Sequence, residues 1–158
     1  MFTHLLAMLN FFKIGKTLNG IEIGTTLSNL ITALGEPTEI VGDHQNGYVY
    51  YEYYRYGYTK NIITELSIEF PLIETPILLQ DVEYKKYDIS LFEDFSLDQD
   101  TQLHELIRLL NHLQLDWTSK NEIDKDHVII RLDNGLNIVG DLSEGFIVRI
   151  SIMNGFKN

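Results

Sequence analysis

A short amphipathic helix followed by a run of strands is written twice in this chain, from Thr25 to Phe70 and again, in degenerate form, from Asp100 to Ile152. Several strands after a single helix rule against a parallel doubly wound sheet, which alternates one strand with one helix. The expected fold is therefore α+β: two degenerate helix-plus-antiparallel-strand repeats, with the helices packed on antiparallel sheet. The 158 residues are the size of one domain. Within it, repeat one is read over about 20–70, a connection over 71–99 and repeat two over about 100–153.

The first helix is the best-marked element. Thr25 or Thr26 supplies a capping hydroxyl. Leu27, Leu30, Ile31 and Leu34 then form one apolar stripe. Gly35 suits a left-handed helix end, and Pro37 forbids continuation. Thr38 to Val41 reads as a short extended piece, Asp43 to Gly47 as a turn, Tyr48 to Tyr58 as one tyrosine-rich strand, and Thr59-Lys60-Asn61 as a turn. In Ile62 to Phe70, Ile62, Leu66, Ile68 and Phe70 are expected on one face with Thr64, while Glu65, Ser67 and Glu69 face water.

The connection from Leu72 to Gln99 is acidic yet carries enough apolar residues to be ordered, with one strand expected near Val82 to Ile89. In repeat two, Asp100-Thr101 is the expected cap, and Leu103, Leu106, Ile107, Leu110 and Leu113 form the helical stripe. Trp117 is placed to anchor that helix to the sheet. Strands follow at His127 to Leu132 and Leu136 to Leu142, joined at Asp133-Asn134-Gly135, where Asn-Gly accepts positive φ. After a turn at Ser143-Glu144-Gly145, Phe146, Val148, Ile150 and Ile152 are expected to alternate along the last strand.

Composition narrows the function. A hydrophobic fraction of 44% supports a core. With no cysteine, disulfides, thiolate metal sites and cysteine nucleophiles are excluded, which fits a reducing cytoplasm. Twelve basic against 23 acidic residues give a net charge of −11. Such a surface repels nucleic acid and anionic membranes and attracts a basic protein; it also simply favours solubility. Phe2 to Phe12 is too short to span a bilayer and, with no basic residues before it, is expected to be a short helix packed on the domain rather than a worn signal peptide.

Seven tyrosines fall between positions 48 and 58. On a single strand, Tyr48, Tyr50, Tyr54, Tyr56 and Tyr58 share one side with Glu52, and Tyr51 and Tyr53 share the other with Val49 and Arg55. Every buried phenol needs a hydrogen-bond partner, so one side is expected to be accessible and suited to binding. Aromatic pairing across a wet sheet face is the competing explanation. Glu93, Asp94 and Asp98, with Asp100, precede the second helix; they either complement its positive terminus or steer a cationic partner. Calcium-loop spacing is absent, and His104 and His112 stand roughly 12 Å apart along one helix, too far to share a metal. No nucleophile elbow and no phosphate loop occurs. No cofactor is expected, and the chain is read as a non-enzyme.

The segment Ile21-x-Ile23-Gly24-x-Thr26-x-x-x-Leu30-x-x-x-Leu34-Gly35-x-Pro37 resembles the helix-plus-strands repeat of small bacterial inhibitor and outer-membrane-assembly modules, typified by the β-lactamase inhibitor protein. Those secreted inhibitors carry a signal peptide and disulfides; this chain has no cysteine and is not expected to carry a signal peptide, so β-lactamase inhibition itself is not implied. The whole profile, small, acidic and aromatic, is similar to the immunity proteins of bacterial polymorphic toxin systems, including contact-dependent growth inhibition. That resemblance implies an intracellular, cytoplasmic protein that binds and neutralises one cognate toxin domain; with the net charge of −11, the toxin is expected to be a basic nuclease-like domain that is blocked by occlusion. The partner-binding candidates are then Tyr48, Tyr50, Glu52, Tyr54, Tyr56, Tyr58, Glu93, Asp94 and Asp98. An accessory module of a cell-envelope or phage system and an enzyme on an unfamiliar fold are the alternatives. Exposed edge strands leave a homodimer open.

Overall fold

A computed structural model of the chain describes residues 4–120 and 125–153. In chain order the elements are α1 (His4–Ile14), β1 (Thr17–Leu18), β2 (Ile21–Glu22), α2 (Leu27–Leu34), β3 (Glu39–Gly42), β4 (Asn46–Tyr51), β5 (Tyr54–Thr59) and β6 (Ile62–Glu69). A 3₁₀ turn at Phe70–Leu72 leads to β7 (Ile77–Lys86), β8 (Ile89–Leu97), α3 (Leu103–His112), β9 (Trp117–Lys120), β10 (His127–Leu132), β11 (Asn137–Asp141) and β12 (Ile147–Met153). Eight strands make one antiparallel sheet in the order β3-β4-β5-β6-β12-β11-β10-β9, while β1 with β2 and β7 with β8 form separate hairpins. The chain is α+β, with its helices packed on antiparallel sheet.

That strand order reads the same from either end, and the backbone repeats with it. Ser67 of β6 stands opposite Ser151 of β12 at the centre. The residue before each helix bridges the start of the last strand of its own repeat: Thr26 to Ile62, and Gln102 to Phe146. Leu27 N–H donates to Asn61 O at 2.9 Å, and Leu103 N–H to Gly145 O at 2.8 Å. Ile63 N–H donates to Thr25 O at 2.8 Å, and Ile147 N–H to Thr101 O at 3.0 Å. Each last strand carries an extra residue, Thr64 between Ile63 and Glu65, and Val148 between Ile147 and Arg149.

These bulges correct the expected alternation. One extra residue reverses which side chains face the core. Ile62 is therefore 39% exposed and Ile63 fully buried, and Ile147, rather than Phe146 or Val148, enters the core. Beyond the bulge Leu66 and Ile68 face inward as expected, but Glu65, Ser67 and Glu69 on the other side are buried rather than wet.

The helices follow their local signals closely. Thr26 Oγ1 accepts from Asn29 N–H at 3.2 Å, and Gly35, at φ 86°, closes α2 by donating to Ile31 O. At α3 the cap is Gln102, whose N–H donates to the Glu105 carboxylate at 2.8 Å. The expected cap, Asp100-Thr101, instead builds the preceding turn, with Thr101 Oγ1 accepting from Asp98 N–H. Met8, Phe11 and Phe12 bury α1 in the core, and Asn134 Nδ2 ties it to the β10–β11 turn by donating to Phe12 O at 2.7 Å. With Leu30, Leu106, Leu109 and Leu110 they join Val49, Tyr56, Leu66, Ile68, Ile130, Ile138 and Ile150 of the sheet in one cluster. Each such side chain contributes about 1.5–3 kcal/mol by leaving water.

The connection also differs from expectation. It forms a long hairpin whose tight turn, Tyr87 at φ 52° and Asp88 at φ 63°, falls inside the single strand read from sequence. Leu79, Val82, Phe95 and Leu97 bury this hairpin in the same core. His112 Nε2 lies 2.5 Å from Val82 O, which fixes the hairpin alongside α3.

Candidate functional site

The tyrosine segment is two strands, not one. Tyr51 pairs with Tyr54, Tyr50 with Arg55, Val49 with Tyr56 and Tyr48 with Gly57. Across this two-residue turn every even position faces an odd one, so the even-numbered tyrosines separate. Tyr54, Tyr56 and Tyr58 point into the core at 4%, 0% and 3% exposure, beside Val49 and Tyr51. Tyr48 and Tyr50 lie on the opposite face with Arg55. The shared binding side expected for Tyr48, Tyr50, Tyr54, Tyr56 and Tyr58 is thus corrected, and Tyr54, Tyr56 and Tyr58 offer no ring to a partner. Tyr56 satisfies its phenol internally, donating to Leu18 O and accepting from Asn19 Nδ2, both at 3.1 Å. Burial pushes the Tyr54 and Tyr56 phenols well above their ordinary value. Glu52 sits in the turn itself at φ 57°, its N–H held by Thr38 Oγ1 at 2.9 Å. The clue to this break was length: 11 residues is long for a strand whose usual size is about 5–6.

The face that carries Tyr48 and Tyr50 is the side of the sheet turned away from the core. Tyr48, Tyr50, Ile129, Val139 and Met153 lie on it and stand outside the core cluster. At its centre, charged side chains cross three strands. Arg55 pairs with Glu65. Arg55 Nε lies 3.0 Å from Glu69 Oε1, an electrostatic approach rather than an aimed hydrogen bond. Arg149 Nε donates to the same oxygen at 2.6 Å, and Ser67 Oγ at 2.9 Å. The Tyr48 ring covers Arg55, with the guanidinium 4.2 Å from the ring centroid. It lies across Gly57, where an added Cβ would come within 3.3 Å of the ring and 3.0 Å of Glu65 Cβ. Burial disfavours the Arg55 cation, but Glu69 and Glu65 outweigh it and hold its pKa above the ordinary value. Two arginines and two glutamates therefore hold one another in fixed positions on a sheet face. This arrangement is a rigid, largely buried polar network, with Tyr48 exposed above Arg55. Farther along the face, Thr118, Arg131, Asn137 and Met153 line a cavity of about 430 Å³, in which Arg131 Nε donates to Asn137 Oδ1 at 2.9 Å.

The acidic candidates lie elsewhere and apart from one another. Glu93 and Asp94 are on β8, not in a loop before α3. Glu93 pairs with Arg108, and His112 Nδ1 lies 3.5 Å from it. Asp94 accepts from Asp81 N–H at 2.8 Å, and Asp98 from Asp100 N–H at 2.8 Å. These carboxylates clamp the hairpin to α3 and shape a turn. The structure does not bring them to Tyr48 and Tyr50.

A second cavity, about 280 Å³, opens where the end of α2 meets the β4–β5 turn, between Leu34, Glu36, Thr38, Tyr51, Glu52 and Tyr54. Tyr51 donates to Gly35 O at 2.7 Å, and its pKa is raised by burial and then by Glu36. Sequence reasoning missed this cavity because its walls come from separate elements. Among the described residues no group of three or more His, Asp or Glu side chains is placed to hold a metal ion, and no described helix is long and apolar enough to cross a membrane. Compared with known proteins, the chain has no significant match to a protein-family profile, to a curated protein or to a solved structure.

Proposed function

We propose that this chain is an immunity protein of the cytoplasm, which binds one cognate toxin domain with a basic surface, nuclease-like in character, and neutralises it by covering its active site. The observation that carries this reading is the sheet face turned away from the core, where exposed Tyr48 lies over Arg55 and part-exposed Arg149 is held by Glu69, so that a buried network of Arg55, Glu65 and Glu69 fixes the groups a partner would meet. A face whose charged groups are already ordered loses little side-chain entropy when a partner arrives. The net charge of −11 adds long-range attraction for a basic partner and raises the association rate. The cysteine-free composition suits the reducing compartment in which such a nuclease would act.

Co-expression with a candidate toxin domain, such as one encoded immediately upstream, is the test. Cells should survive the toxin only when this chain is present, and the purified pair should associate more slowly as salt rises. Absence of both protection and a complex would overturn the proposal.

A further inference from the structure

The two ends of the sheet are not equivalent. At one end β9 carries Thr118, Ser119 and Lys120, the polar and lysine residues that protect a free edge from unwanted pairing. At the other end every residue of β3 is exposed, including Ile40 at 51% and Val41 at 47%. A free edge with bare β-branched side chains is a template for one more strand. Its surroundings select the charge of that strand. Between Lys16 and Arg55 the chain has no lysine or arginine but has Glu22, Glu36, Glu39, Asp43 and Glu52. A second copy would bring the same carboxylates to the same edge and be repelled.

The cavity beside this edge has the matching chemistry. Thr38, the residue before β3, forms part of its wall. Glu36 and Glu52 stand at its rim, close enough to the Tyr51 and Tyr54 phenols to affect their titration. The C-terminal end of α2, whose carbonyls carry partial negative charge, closes one side. Carboxylates, the half-buried Tyr51 ring and a helix C-terminus all favour a cation.

We propose that the free edge of β3 takes an extended basic segment of the toxin as an added strand, with one lysine or arginine side chain of that segment seated between Glu36, Tyr51 and Glu52. This rests on the immunity reading and specifies how the partner is held. The carboxylates set the sign of the incoming residue, and backbone pairing along Glu39–Gly42 sets its register.

The test uses the full chain, a blocked hexapeptide of alternating lysine and valine, its glutamate–valine counterpart, and the toxin domain. Nuclear magnetic resonance should show the basic peptide slowing amide exchange in β3 and shifting Tyr51 and Glu52, with no response to the acidic peptide. Glu36→Gln with Glu52→Gln should weaken the basic peptide about tenfold, as expected for about 1.4 kcal/mol. Ile40→Lys with Val41→Lys should abolish its binding and weaken the toxin complex. If the wild-type chain neutralises the toxin and the I40K/V41K variant does so equally well, this inference is overturned while the proposed function stands. If the basic peptide docks at β3 but no toxin is bound or neutralised, the proposed function falls and the strand site stands. A dimer in sedimentation that I40K/V41K dissolves would overturn the assignment of a basic partner to this edge.

Discussion

In the first half of the sheet, β3 to β6, the chain carries seven of its nine tyrosines; in the second half, β9 to β12, it carries none. The two halves nevertheless share the bulges at Thr64 and Val148, the bridges from Thr26 and Gln102, and the backbone bonds that start each helix. Their cover differs as well. The β7–β8 hairpin lies along α3, where Leu106, Leu109 and Leu110 are all buried, whereas α2 buries Leu30 and leaves Leu27, Ile31 and Leu34 half-buried. The shared parts are those that fix backbone direction, since each helix must meet its last strand in the same way. The side chains that differ are free of that duty: the first half supplies Arg55, Glu65 and Glu69 of the ion network, the cavity beside α2 and the bare edge, and the second half supplies Arg149 and the cavity at Arg131.

The largest expected effect of a substitution falls on the network. Glu69→Ala leaves Arg55 buried without one of its two carboxylates and removes the partner of Arg149, so it should cost about 3–5 kcal/mol in denaturant unfolding. A cost below about 1 kcal/mol, the range of exposed pairs, would show that this face is solvated and erase the contrast between the halves. Next, Gly57→Ala should cost about 1–3 kcal/mol, because its methyl meets Glu65 Cβ and the Tyr48 ring at once. Gly140→Ala in the second half should cost less, since its nearest atoms belong to the Val128 and Leu103 side chains, at 3.3 and 3.5 Å.

A smaller effect should appear in alkali. The folded Tyr54 and Tyr56 phenols hold their protons above the ordinary value of about 10, so their contribution to stability is complete below that pH. As pH rises above about 10 the unfolded chain loses these protons first, and stability should fall by up to about 1.4 kcal/mol per pH unit for each phenol. Tyr56→Phe should make that fall shallower in unfolding curves taken from pH 9 to 11. An unchanged slope would mean that the phenol titrates freely in the folded protein.

Features set by neighbours in the chain were legible in the sequence. The α2 stripe, its cap at Thr26 and its end at Gly35 rest on local spacing, as does the Asn134-Gly135 turn, where Gly135 takes φ 96°. The repeat itself was legible because its hydrophobic periods recur. What stayed hidden is set across strands. Ile62-Ile63 gives no sign of which isoleucine turns inward, since the bulge at Thr64 depends on pairing with Gly57 and Tyr58. The turn at Glu52-Tyr53 lacks the usual glycine or asparagine and relies on Thr38, the residue before β3, to hold Glu52 at positive φ. Glu65 and Glu69 alternate like residues of a wet face, and only Arg55 and Arg149, distant in sequence, make that face a closed network. The acidic candidates Glu93, Asp94 and Asp98 read as one cluster because they are close in sequence, but β8 and its turn give each a separate neighbour.

Amide hydrogen exchange on the full chain, alone and with the toxin domain proposed as its partner, addresses the asymmetry most directly. Binding through the first half should slow exchange across 36–52, above all in β3, and leave β9 unchanged. Slowing confined to β9–β12 or to the β7–β8 hairpin, with β3 still exchanging freely, would contradict the account.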